Sequence, residues 1–433
     1  MEAQRFEISR LFARFNFGPK PGQFTQALRD GLSATSQSLL NTSEPDALLE
    51  ALTPPNLPDL GTRPLQSNTA ATKAFNQAMK AQNEDLVLWW LDRMAIAKNP
   101  LIERMTWFWH GHWATSIDKV NFAPPMYNQI QTLRSNALGN FKTMSHAMFH
   151  DGALQIWLDG NDNIKGAPNE NLSREFMELF TLGVNNYSED DVKALSRAFT
   201  GYQTVRSTGV VTFNPKRHDS DPIKLFGVNT PLDGDAAIDL VVARPECAQF
   251  ISDRLWYRFI SSSEPQDSRY AITEAFANRE IAPAVRALVL NGALSNSRYS
   301  VVRQPVEWFI AVCRAFNVQP SKLAPRNISL GYLLKMAQVP LLPPNVGGWP
   351  TDEAWLSSAS AQFRIAFAGA LAKQIDFSQL AAIPPEKRVA YIKDLLGIYE
   401  ISSRTFTALT NAKEDLPQFF ILAVCSPEFI VNA

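Results

Sequence analysis

Apolar residues recur along most of this chain at three- and four-residue intervals, the period of an amphipathic helix rather than of a strand. Between residues 85 and 97, Leu86, Trp89, Trp90, Met94 and Ala97 make one such stripe. Comparable stripes run through 129–149, 171–182, 189–199, 246–259, 281–290, 306–316 and 328–337. Helix punctuation falls where stripes begin and end. Ser188, with Asp191 three residues on, is a capping-box-like start, and Gly201 stands where that helix should stop. Gly183 likewise closes the helix that begins near Asn171. The pattern predicts an all-α protein with a large, bundle-like, multi-helix body.

Two stretches break the rhythm. Residues 53–71 hold four prolines and few aliphatic anchors, which suits a surface connection between an N-terminal helical cap, 1–52, and a main body, 72–433. Residues 202–234 carry a β-branched run at 210–213, then polar residues, then the segment Ile-Lys-Leu-Phe-Gly at 223–227. This predicts a small β-hairpin or long loop inserted in the helical body. No repeat of fixed period appears, so 1–433 reads as a single helical domain.

Composition narrows the function classes. The 41 basic and 42 acidic residues nearly cancel, so no overall field draws the chain to nucleic acid or an anionic membrane, and no Lys/Arg run supplies a local one. Nowhere does the chain reach the ~18 consecutive apolar residues of a membrane span. Cys247, Cys313 and Cys425 are far apart, odd in number and set among apolar neighbours, as packing thiols are; no CxxC pair or disulfide framework exists. Residues 1–14 show neither an apolar stretch with a small-residue cleavage site nor a twin arginine. A cytoplasmic location is therefore expected, a periplasmic one requiring a trimmed leader or a partner that carries the chain.

Histidine is scarce, five in all, and its positions frame the candidate chemistry. His110 and His112 lie in Trp-Phe-Trp-His-Gly-His-Trp, 107–113. A helix from Leu101 puts Glu103, Trp107 and His110 on one face. Gly111 is expected to end it and let His112 swing in beside His110, where two neutral imidazoles could chelate a divalent ion. Alternatively, both rings satisfy their nitrogens on nearby backbone. The second cluster is 169–183, Asn-Glu-Asn-Leu-Ser-Arg-Glu-Phe-Met-Glu-Leu-Phe-Thr-Leu-Gly. On a helix, Asn171, Glu175 and Glu178 share one side, and Glu170, Arg174 and Glu178 form a row in which Arg174 can neutralise an acid. Carboxylates three apart can ligate a metal or divide acid and base roles, or belong to a salt-bridged surface.

Weaker signals complete the set. His218 and Asp219 could be a ligand and its orienting carboxylate, or part of a turn. His146 and His150 are four apart, but no Glu follows His146, so the pair reads as satisfied on a helix rim. Prolines and paired glycines in 338–350 specify a rigid turn, with Trp349 plugging a pocket or walling a cleft. No Gly-rich phosphate loop, nucleophile elbow or dinucleotide fingerprint appears.

These segments, in this order, resemble the bacterial family catalogued as domain of unknown function 1800. The resemblance rests on the Arg/Phe/Gly opening at 10–18, Asn-Pro-Leu-Ile-Glu-Arg-Met at 99–105, Phe-Trp-His-Gly-His-Trp at 108–113 and Arg-Ser-Asn-Ala-Leu-Gly-Asn-Phe at 134–141. It continues through the 169–183 segment, Ala-Phe-Thr-Gly at 198–201, His218-Asp219 and Pro-Pro-Asn-Val-Gly-Gly-Trp at 343–349, reaching at least Trp355. The family pattern carries His110, His112, Glu170, Arg174, Glu175, Glu178, His218 and Asp219, and does not feature His146 or His150. Trp113 stands where the family often has Phe, and Tyr202 where it often has Trp. The resemblance implies no settled activity. It does imply a partner, since members are often exported and encoded beside the sulfatase-like domain of unknown function 1501, which frequently has a twin-arginine leader.

Two functions are in view. One is a metal-dependent hydrolase or oxidoreductase, with zinc, iron or manganese on His110, His112, His218 and Glu175. Glu178, Arg174 and Asp219 would then be catalytic, with Glu103, Glu170, Asn171 and Trp349 completing the pocket. The other is a non-enzymatic helical scaffold or partner-binding protein whose polar residues form a buried network. Convergence of the histidines and glutamates in one concave pocket separates the first from the second.

Overall fold

In the computed structural model, which describes residues 2–65, 67–263 and 269–432, helices dominate and the strands form three two-stranded antiparallel pairs. The expected all-α class holds. Helices Glu2–Phe15, Gln23–Asp30, Leu32–Leu40 and the short Ala47–Glu50 lead the chain. Residues 53–68 follow without helix or strand among those described, Gln66 lying outside them. Each proline there lacks an N–H and disfavours helix at the residue before it. The long helix Thr69–Ile96 then starts on Asn68, whose side chain accepts the Ala71 N–H.

The stripe at 129–149 is two helices, Ala123–Ser135 and Phe141–Phe149. Asn140 explains the break, because its side chain accepts the N–H groups of Lys142 and Thr143 and starts a new helix. Ser188 and Asp191 do form a reciprocal capping box at the head of Glu189–Ala198. The 202–234 insertion is two hairpins, Tyr202–Thr204 with Val211–Phe213 and Ile223–Leu225 with Val228–Thr230. The third pair joins Val301–Val302 to Val431–Asn432, near the far end of the chain; two-residue strands so far apart leave no local pattern to read.

Two large apolar clusters meet at the Leu101–His112 helix. Leu101, Met105, Phe108 and Trp109 join the cluster that holds Phe141, Phe176 and Trp256. Trp107 joins the other, with Trp90, Trp308 and Phe367. Ten of the twelve residues of this helix are buried, so it has almost no solvent face, and Glu103, Arg104, His110 and His112 must find partners inside the protein.

Buried arginines tie the irregular connections to the clusters. Arg14 donates to the carbonyls of Ile260 (2.8 Å) and Tyr299 (2.7 Å). Arg314 donates to those of Gly18 (2.8 Å) and Ala97 (2.7 Å) and to Asn16 Oδ1. Arg364 donates to Trp355 and Arg303 carbonyls, and Arg303 to that of Phe429. A guanidinium has five donors in a fixed fork, which lets one side chain satisfy several carbonyls at segment ends.

Candidate functional site

The helix carrying His110 does not stop at Gly111 but runs through it to His112. Residues two apart on a helix point to nearly opposite sides, so the expected meeting of the two imidazoles does not occur. His110 sits against Trp90 and Trp349, with ring centroids 5.2 and 5.4 Å away. Its Nε2 accepts the Leu341 N–H at 3.0 Å, which puts the ring proton on Nδ1. His112 faces the other cluster, beside Phe108, Phe141 and Phe180. Its Nε2–H donates to the Phe180 carbonyl at 2.9 Å, leaving the lone pair on a buried Nδ1 without a partner among the described residues. Burial pushes both imidazoles down to about 3, helped at His112 by the nearby Arg254 charge. Both are neutral at pH 7.

The second cluster also departs from the expected rows. Asn171–Glu175 is α-helical, but Phe176–Thr181 widens into a π-helix, so the spacing of an ideal α-helix fails after Glu175. The Thr181 hydroxyl donates to the Phe176 carbonyl at 2.6 Å, and His112 takes the Phe180 carbonyl. Two signature segments thus meet, as a structural bond. Arg174 pairs with Glu170 (3.1 Å) and Glu189 (2.7 Å) rather than with Glu178. Glu178 accepts the Tyr187 hydroxyl at 2.7 Å, and Asn171 donates to Asp159 at 3.4 Å. Glu175 is half-buried, and burial, then the Glu178 charge, hold its carboxyl above the ordinary value.

His218 and Asp219 turn to different partners. The His218 Nδ1 contacts Thr200 at 3.1 Å from the carbonyl, whereas Asp219 accepts from Arg197 Nε at 2.7 Å. Asp219 is therefore not the orienting carboxylate of His218. His146, by contrast, holds Asp235 through Nδ1 and Asp239 through Nε2, both at 2.7 Å, and His150 reaches Asp235 at 3.0 Å. That pair is satisfied, as expected. Among the described residues, no group of three or more His, Cys, Asp or Glu side chains is placed to hold a metal ion. The donor set His110, His112, His218 and Glu175 does not fit one.

Glu103 occupies the expected helix face but is fully committed. It accepts from Arg93 (2.8 Å), Arg134 (2.8 Å) and the Trp90 indole (3.2 Å). Burial alone would raise its carboxyl; Arg134 and then Arg93 outweigh that and hold it below its ordinary value. It reaches the wall of a cleft of about 950 Å³ under the N-terminal helices, with no free lone pairs to offer there.

A different cavity, of about 180 Å³, opens between the Leu101–His112 helix, the Pro245–Phe259 helix and the loop ending at Thr351. Trp107, Phe108, Gly111 and His112 form one wall, and Trp349 a second. Trp349 stacks on Trp107 at 5.0 Å with the rings tilted by 32°, and its buried indole N–H has no acceptor among the described residues. Gly348 brings this loop in: a Cβ there would lie 2.3 Å from the Gly111 carbonyl, and its φ is +82°. Arg254, Tyr257 and Arg258 make the third wall, with Gln304 at its edge. Arg258 and Arg104 share the buried carboxylate of Glu307. Arg254 has no acceptor among the described residues, and burial lowers its pKa.

A family model for proteins of unknown function, DUF1800, matches residues 10–431. The chain belongs to the DUF1800 family. No curated protein and no solved structure matches it. Seen on the DUF1800 fold, signature residues from 107–112 and Trp349, more than two hundred positions apart, wall one cavity. Arg254, Tyr257, Arg258, Gln304, Glu307 and Thr351 escaped the sequence reading. Arg254 and Arg258 are spaced like any helix-surface pair, and nothing local marks them as facing inward; only the four-residue interval, shared with an apolar stripe, hinted at one face.

Proposed function

We propose that this DUF1800 protein binds a small ligand in the cavity between its Trp-His-Gly-His helix, the Pro245–Phe259 helix and the Gly-Gly-Trp loop. Gly111 carries this reading. Glycine inside a helix costs about 1 kcal/mol relative to alanine, yet nothing lies within 4 Å of where a Gly111 Cβ would stand. Packing does not require glycine there; an open cavity wall does. The neighbouring polar groups without partners, His112 Nδ1 and Trp349 Nε1, support the same reading, since orphaned buried polar atoms are costly unless something meets them. The remaining signature residues brace the walls: His112 on Phe180, His110 on Leu341, Glu103 on two arginines.

Thermal unfolding against a panel of small metabolites tests the reading with wild type and Gly111→Leu, a variant that projects a side chain into open space. Binding at one hundred times Kd adds about 2.7 kcal/mol. Some compounds should raise the wild-type midpoint and leave a folded Gly111→Leu unmoved. Equal shifts in both proteins, or none in either, would contradict the reading.

A further inference from the structure

The charge around this cavity is unbalanced, and the imbalance identifies what it takes. Two guanidiniums and no carboxylate line it. Behind Arg258, the single buried Glu307 carboxylate faces Arg104, Arg258 and Arg303, whose charges all act on or with it. Three cations against one anion leave two positive charges, and Arg254 adds another. Cations removed from water without compensating charge are costly. The buried arginines answer this with backbone carbonyls, as Arg14 and Arg314 do; Arg254, half-buried at the cavity wall, has none among the described residues. Burial, and then the Arg254 charge, keep His112 neutral, so the positive charge lining the cavity is that of the guanidiniums.

The walls set the rest of the ligand. Trp107, Trp349 and Tyr257 present aromatic surface, which an inorganic oxyanion cannot use and a short carbon body can. A volume near 180 Å³ is that of about six waters at liquid density, which suits a small ligand. Building on the ligand-binding reading above, we propose that the cavity takes a small monocarboxylate. Its carboxyl group lies on Arg254, where the planar fork suits a bidentate pair, and its carbon body lies against Trp107 and Trp349.

Thermal shift and calorimetric titration at fixed ionic strength would use benzoate and propionate, their neutral amides, and inorganic phosphate, with wild type, Arg254→Gln, Arg254→Lys and Gly111→Leu. The carboxylates should bind wild type at least tenfold more tightly than their amides. Arg254→Gln should remove that preference, Arg254→Lys restore part of it, and Gly111→Leu abolish binding of every compound. Amides that bind as well as acids, in a manner Gly111→Leu blocks, would overturn the carboxylate assignment while leaving the cavity reading standing. Phosphate binding without carboxylate binding would also overturn it. Carboxylate binding unchanged in Gly111→Leu would place the acid elsewhere and defeat both.

Discussion

Single residues in this protein are governed by what burial does to charge. His110 and His112 are neutral when folded, with burial pushing each to about 3 against an ordinary value near 6.5. The unfolded chain takes up protons that the folded one refuses, so stability falls as pH drops below about 6.5. Each imidazole contributes up to ~1.4 kcal/mol per pH unit. Glu103 and Glu307 are held below their ordinary values and add to acid loss only lower down, so the decline from about pH 6.5 to 4.5 belongs to the histidines. Urea unfolding across this range should give a shallower slope in His110→Gln, which keeps an acceptor for the Leu341 N–H; an unchanged slope would refute the assignment. Asp151 has the opposite sign. Buried, and accepting from the Leu154 N–H and Gln129, each at 2.8 Å, its carboxyl is pushed up to about 7. Its folded form favours the proton, so its stability contribution is lost as pH rises from about 4 through 7. Asp151→Asn keeps the cap and should stabilise by roughly 2–4 kcal/mol at pH 8, with the gain vanishing near pH 4. Glu307→Gln leaves Arg104 and Arg258 without their shared carboxylate and should cost about 3–5 kcal/mol in denaturant unfolding.

At the level of elements, the Leu101–His112 helix and the Gly-Gly-Trp loop interlock. Gly348→Ala should destabilise by at least about 2 kcal/mol, because its Cβ would meet the Gly111 carbonyl at 2.3 Å in a left-handed backbone. Gly111→Ala should do the reverse and stabilise by roughly 0.5–1 kcal/mol. A pair of melting curves distinguishes these. The same helix explains what could be read from sequence. Its apolar period, the Ser188–Asp191 box and the prolines of 53–64 act within a few residues, and they are legible as helix, cap and break. Gly111 misled because glycine often ends helices, whereas here two apolar clusters on either side hold the helix through it. In the row Glu170, Arg174, Glu178 the Glu170–Arg174 pair forms, but Glu178 drops out where a π-helix starts at Phe176, a consequence of packing that the α-period cannot foresee. Trp349 was legible as a pocket wall; Arg254 and Arg258 were not, since a guanidinium that faces inward looks in sequence like one that faces water.

Across the whole molecule, near-neutral net charge conceals a cationic interior. Arg10, Arg14, Arg104, Arg303, Arg314 and Arg364 are buried, and burial lowers the pKa of most of them, to about 9 at Arg314. Carbonyls at segment ends absorb this charge throughout the fold, and the DUF1800 signature segments belong to the same bracing system. No helix among the described residues is long and apolar enough to cross a membrane. Among the described residues, unpartnered polar atoms, open wall and surplus positive charge coincide at the cavity beside Arg254. Calorimetric titration of benzoate into wild type and Gly111→Leu tests this most directly. Saturable binding at one site per chain in wild type, absent from a folded Gly111→Leu, is the predicted result; no saturable binding, or the same binding in both, would contradict it.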